Sequence, residues 1–319
     1  MQIITLRDRP SGTVANILPG LGFNCFRFGR EMDGQSIDWL WAEAEFETGE
    51  RRPSGSGIPI LFPFPGRMQG ARFEYDGRTF DLEPRDGRGN AIHGFVLDRP
   101  WNVIEQTETK AVGQFHAARD APGVLDSWPA DFGIRVTYEV SARTLRMEVV
   151  VDNPGERTLP WGLGLHPYFR VPPADGKSAD TGGEDYRVTV PAATWCELSE
   201  MLPTGKRFPA EGARHLAAGL PFAETGFDDV FTDLTFERGV CTCTIASPSG
   251  RGSLRVTFDD LFDHCVVYNP PHRQAICIEP YTCLPGAFGD GAAQGIDEAL
   301  ALLDPGDSRR GTMTLAFDG

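Results

Sequence analysis

Lysine is nearly missing from this 319-residue chain. Only Lys110, Lys177 and Lys206 occur, each beside Gly, Thr or Ser in a predicted turn. A Schiff-base lysine needs a desolvated amine, so lysine catalysis is not expected. Also absent are G-x-x-x-x-G-K-[ST] for phosphates, H-E-x-x-H for zinc and the G-x-S-x-G elbow of serine hydrolases. No apolar run approaches the ~18 residues of a membrane span. The start, MQIITLRDRP, lacks the basic-then-apolar layout of an export signal. The expectation is a cytoplasmic protein that does not engage membranes. No linker with a composition change is visible, which predicts one domain over 1–319. Positive charge is also in deficit. The net charge of -15 would repel nucleic acid and anionic lipid, so neither is an expected partner.

Cysteine is present but unpatterned. Cys25, Cys196, Cys241, Cys243, Cys265, Cys277 and Cys283 make an odd set with no C-x-x-C pair, and are expected to be reduced and buried. Cys241 and Cys243 share a strand face in VCTCTIAS with no His at zinc-finger spacing, so structural zinc is not expected.

Short runs of Val, Ile, Thr, Phe and Tyr recur between Gly, Pro and Asp, which predicts an all-β fold with strands enough for a large two-sheet sandwich. ARFEYDGRTFDL (71–82) reads as a hairpin turning at Asp76-Gly77, and 133–153 as a second, longer one. Further strands are expected near 36, 185, 253, 264, 275 and 312. IDEALALL near 296 alone reads as helical, and the Pro- and Gly-rich stretches 171–184 and 201–226 read as loops.

A sparse set of polar residues sits among Gly, Pro and apolar neighbours. Arg67 follows two prolines and a glycine in FPFPGRMQG; it either presents a fixed guanidinium to hydroxyls or a carboxylate, or is a surface turn residue. His93 precedes Gly94, where a ligand or another backbone can approach closely; the alternative is a turn histidine bonded to a carbonyl. In LPWGLGLHPYFRV, alternation puts Leu163, Leu165 and Phe169 on one face and Gly162, Gly164 and His166 on the other. The glycines are expected to clear space for a sugar ring beside the imidazole, unless they merely pack a core histidine. In QAICIEPYTCLPG, Cys277 and Glu279 share a face opposite Ile276 and Ile278. A buried carboxylate there would have a raised pKa suited to a general base, while an ion-paired strand end is the plainer reading. Asp228 and Asp229 lie between Phe227 and Val230, placed to bind a ligand or cap a turn.

Taken in order, GIPILFPFPGR, NAIHGF, GLGLHPYF, FDDVF, IEPYT and LLDPGDS resemble the aldose 1-epimerase (galactose mutarotase) family, from about residue 57 to 308. The resemblance implies a large antiparallel β-sandwich with a sugar on one concave face, and a reaction with no metal or nucleotide cofactor. It maps the general acid to His166, the general base to Glu279, and sugar binding to Arg67, His93 and Asp228, with Asp229 as the alternative to Asp228. The implied activity is interconversion of the anomers of a free hexose by a monomer or homodimer. Two other readings share the fold: a hexose-6-phosphate 1-epimerase, for which Arg72, Arg85 and Arg88 are the candidate phosphate ligands, and a non-catalytic carbohydrate-binding protein.

Overall fold

The computed structural model describes residues 1–174, 183, 185–250, 252–288 and 300–318. Among them, two large antiparallel sheets of twelve and nine strands face each other. The larger sheet runs in the order Ile4–Asp8, Thr13–Leu18, Asn24–Met32, Gln35–Leu40, Tyr168–Ala174, Ala275–Tyr281, His264–Tyr268, Asp228–Leu234, Ala192–Ser199 and Leu202–Pro209. Two short strands, Ile60–Leu61 and Gly164–Leu165, join it beside Ala275–Tyr281.

The smaller sheet is built around the long hairpin of Gly133–Ser141 and Thr144–Asp152, flanked by the C-terminal strand Ser308–Phe317. Ala142 and Arg143 both take positive φ at its tip, and so do Asp76 and Gly77 in the shorter hairpin, the geometry that two-residue turns demand. Both predicted hairpins are therefore present.

Side chains of the two inner faces interlock. Trp39 of the larger sheet stacks on Phe317 of the smaller, centroids 3.9 Å apart, and Phe28 meets the same ring at 5.5 Å. Phe23 closes on Tyr138 at 5.6 Å. Alternation then assigns each strand of the larger sheet an inner and an outer row. In Ala275–Tyr281, Ile276 and Ile278 join the inter-sheet core, while Cys277, Glu279 and Tyr281 face outward and are nonetheless buried.

Three sequence expectations need correction. Leu202–Pro209, expected as loop, is an edge strand paired with Ala192–Ser199. Its Pro203 and Pro209 made it read as loop, but an edge strand leaves one side of its ladder unpaired and tolerates proline. The expected helix near 296 is not one where it can be followed: Leu302–Leu303 is a strand paired with Leu159–Pro160, and 296–299 lie outside the described residues. The loop expected over 171–184 begins as strand through Ala174; of its remainder, 175–182 and 184 lie outside them too.

Candidate active site

The outer face of the larger sheet carries a cleft of about 750 Å³, its open mouth included. Arg67, His93, His166, Asp228 and Glu279, five residues scattered over more than two hundred positions, all line it. Glu279 sits on its floor, 1 % exposed, because Ala275–Tyr281 is flanked on both sides, with Val266 opposite Glu279 and Tyr168 opposite Cys277. His166 occupies the break between Gly164–Leu165 and Tyr168–Ala174, where its backbone N–H donates to the Pro59 carbonyl at 3.0 Å. The break turns the imidazole toward the neighbouring strand. His166 Nδ1 lies 3.4 Å from Glu279 Oε1, and the His166 ring stacks on Tyr168 at 4.8 Å between centroids. The Tyr281 hydroxyl donates to Glu279 Oε2 at 3.0 Å, which leaves Oε1 to face the histidine.

The space expected beside His166 is already taken. A Cβ at Gly164 would lie 2.7 Å from the Pro65 side chain and 2.8 Å from the Tyr281 ring, and one at Gly162 would lie 2.6 Å from Cys283 Sγ. These glycines admit Tyr281 and Pro65 rather than a sugar, because the strand face they share with His166 lies against neighbouring segments.

One wall comes from two clasped segments. Arg67–Met68 pairs with Ala91–Ile92, the His93 N–H donates to the Gly66 carbonyl at 2.9 Å, and Phe95 N–H donates to the Phe62 carbonyl at 2.8 Å. Gly94 takes φ 71°, and a Cβ there would fall 2.0 Å from the Phe62 carbonyl oxygen, so the predicted close approach is to backbone. His93 itself has φ 67°, a left-handed conformation uncommon for a side-chain-bearing residue. Its ring meets that of His166 edge-on at 5.8 Å. Arg67 Nε donates to Asp86 Oδ2 at 3.2 Å. Asp86 also accepts from Asn90 Nδ2 and from the Arg88 and Asn90 backbone N–H groups. Burial opposes the Asp86 charge, but these donors and Arg67 hold the carboxyl below its ordinary value. The guanidinium is thus anchored while it lines the cleft.

The electrostatics of the floor follow from burial. Desolvation pushes the Glu279 carboxyl well up, against the Tyr281 hydrogen bond, with the Asp228 charge adding to the rise. Desolvation holds the His166 imidazole down to about 3, and His93 is lowered by burial and then by His166 and Arg67. Both members of the 3.4 Å pair favour their neutral forms, so the titrating proton rests on the carboxyl. Moving it to the imidazole gives a carboxylate beside an imidazolium, with the same net charge. Desolvation raises Asp228 too, partly offset by Arg67. Asp229 points away and pairs with Arg214 at 3.4 Å, which separates the two acids.

Sequence reasoning missed Tyr168, Tyr268, Tyr281, Arg52 and Ser54, which also line the cleft. Tyr281 was within reach, being two residues beyond Glu279 on the same strand face. Arg52 and Ser54 carry no comparable signal. Of the three arginines considered for phosphate, none lines the cleft; Arg72 pairs with Asp81 on the hairpin, and Arg85 with Glu83 and Asp98. Among the described residues, His166, Cys277 and Glu279 form the one group of three metal-capable side chains, their ligand atoms within 4.8 Å of one another. A search by sequence spacing misses it, because the histidine belongs to a distant strand.

The architecture is that of the galactose mutarotase-like proteins. A protein of that description from Clostridium acetobutylicum superposes with a TM-score of 0.80 at 22% identity, over 97% of this chain and 93% of its own. The GalM/aldose epimerase homologue of C. elegans gives 0.78 at 17%, over 100% and 99%. The chain belongs to the aldose 1-epimerase family, whose model matches residues 31–316. It is 26% identical over 275 residues to the plasmid-encoded protein LacX of Lactococcus lactis subsp. lactis, covering 81% of this chain and 82% of LacX. It is likewise 26% identical over 254 residues to YihR of Escherichia coli K12, covering 79% and 76%. Family and fold together support a carbohydrate epimerase role.

Proposed function

We propose that the chain interconverts the α and β anomers of a free hexose by opening and reclosing the ring, with Glu279 as base and His166 as acid. The observation that carries this reading is the pair itself: a carboxyl and an imidazole 3.4 Å apart, buried on the floor of a cleft walled by Arg67, His93 and Asp228. Sugar hydroxyls hydrogen-bonding to the carboxylate favour its charged form and draw the proton to His166. Glu279 takes the proton of the anomeric hydroxyl, C1–O1 becomes a carbonyl, and the C1–O5 bond breaks as His166 protonates O5. Rotation about C1–C2 exposes the other carbonyl face. On reclosure His166 recovers the proton from the O5 hydroxyl and Glu279 returns its own to O1. Arg67, His93 and Asp228 hold ring hydroxyls in register.

The test is NMR or polarimetric relaxation of freshly dissolved α-glucose and α-galactose. Wild type is expected to accelerate it, and Glu279→Gln and His166→Ala each to lose about 10²- to 10⁴-fold in kcat. Unchanged rates in either variant would remove that residue from the mechanism. A phosphorylated hexose is the second reading, favoured by one observation: Arg52 lines the cleft with its Nε on Ser54 Oγ at 2.9 Å. Acceleration of a hexose 6-phosphate but not of free sugars would select it.

A further inference from the structure

We propose that the floor of this cleft is also a binding site for a thiophilic divalent cation of the zinc class, held by His166 Nδ1, Cys277 Sγ and Glu279 Oε1, and that the ion blocks anomer exchange. The blocking half rests on the function proposed above; the binding half does not.

Geometry carries the site. All three side chains are buried and their ligand atoms lie within 4.8 Å of one another. His166 Nδ1 and Glu279 Oε1 are 3.4 Å apart. Two donors each ~2.0–2.1 Å from a tetrahedral zinc are separated by roughly 3.3 Å, so this edge of the tetrahedron exists already. With the ligand atoms within 4.8 Å of one another, the thiol must close by up to about 1.2 Å to bring its edges to the ~3.6 Å expected for a sulfur and a nitrogen or oxygen donor. His166 Nδ1 is buried without a hydrogen-bond partner, so metal binding breaks no bond there. The Tyr281 hydroxyl holds Glu279 Oε2 and leaves Oε1 as a single fixed donor, the kind of outer support that metal-bound carboxylates use. The fourth position of a tetrahedral ion is left for water, since the protein supplies three donors.

Donor chemistry selects the metal. One imidazole, one thiolate and one carboxylate suit zinc or cobalt, whereas magnesium and calcium want oxygen alone. On binding, the Cys277 proton leaves to solvent and the thiolate joins the ion. The ion then occupies the lone pairs that ring opening needs, so inhibition is competitive with sugar. Cys277 has no part in the proton transfers and is the residue on which the two properties separate.

The experiment uses chelator-treated full-length protein with cobalt and zinc chlorides, comparing wild type with Cys277→Ala and Cys277→Ser. Circular dichroism checks that each variant is folded. Cobalt is expected to give a sulfur-to-metal charge-transfer band at one equivalent in wild type and none in either variant, although the other six cysteines remain. Zinc is expected to inhibit wild-type anomer exchange competitively, and both variants, active without metal, to need at least tenfold more. No cobalt band, or equal zinc sensitivity in all three proteins, overturns the site. Activity that is lost on chelation and restored by zinc overturns the inhibitory role. If no sugar is turned over, the cobalt band still decides the binding half, and the failure belongs to the proposed function.

Discussion

Glu279 has one hydrogen-bond donor among the described residues, the Tyr281 hydroxyl, and that contact decides which carboxylate oxygen faces His166. Burial pushes the Tyr281 phenol well above its ordinary value, so it remains a donor throughout the working range. Tyr281→Phe is expected to keep the fold and lose about tenfold or more in kcat with little change in KM, since a hydrogen bond to a charged group contributes roughly 1.5–3 kcal/mol. The anomer-exchange assay checks this. Gly94 is a residue-scale constraint of another kind. Gly94→Ala places a methyl group 2.0 Å from a carbonyl oxygen at a positive φ, and is expected to cost about 2 kcal/mol or more in urea unfolding. The same clasp fixes His93, so sugar affinity should fall with stability.

At the scale of elements, Asn24–Met32 and Gln35–Leu40 are tied by charge as well as by their ladder. Arg27 bonds to Asp38 at 2.8 Å and to Glu31 at 2.6 Å, and Arg7 reaches Glu31 from the first strand. The Arg7 and Arg27 hydrogen bonds hold the Glu31 carboxyl below its ordinary 4.5. A carboxyl lowered on folding stabilises the protein fully above its unfolded value and loses that contribution as pH falls through the folded one. Stability should therefore decline below about pH 4.5, and Glu31→Gln should make the decline shallower; urea midpoints against pH measure it. Elements also show what was readable beforehand. Both hairpins and the outward placement of Glu279 follow from a period of two, which a single strand carries in its own residues. The edge strand Leu202–Pro209 and the filling of Gly164 by Tyr281 do not, because each depends on which segment lies alongside. For the same reason the five cleft residues could be named singly, but their meeting required strands from distant parts of the chain.

For the whole molecule, the contact between sheets is the main support. Trp39 and Phe317 stack across it, both within the shared core. Trp39→Ala is expected to cost about 3–5 kcal/mol, read as a lowered urea midpoint. We propose that the two sheets unfold as one domain. Tryptophan fluorescence and far-ultraviolet circular dichroism should then give coincident transitions, and separated midpoints would show two units.

The strand Ala275–Tyr281 assigns its two jobs by parity: Ile276 and Ile278 hold the sheets together while Glu279 and Tyr281, on the opposite row, furnish the cleft. Point changes at odd positions can alter the chemistry and leave the even ones in place. An inserted or deleted residue cannot, because it exchanges the two rows along the strand and turns the carboxyl into the core. A library meant to give this protein a new sugar should therefore vary residue identity here and hold length constant.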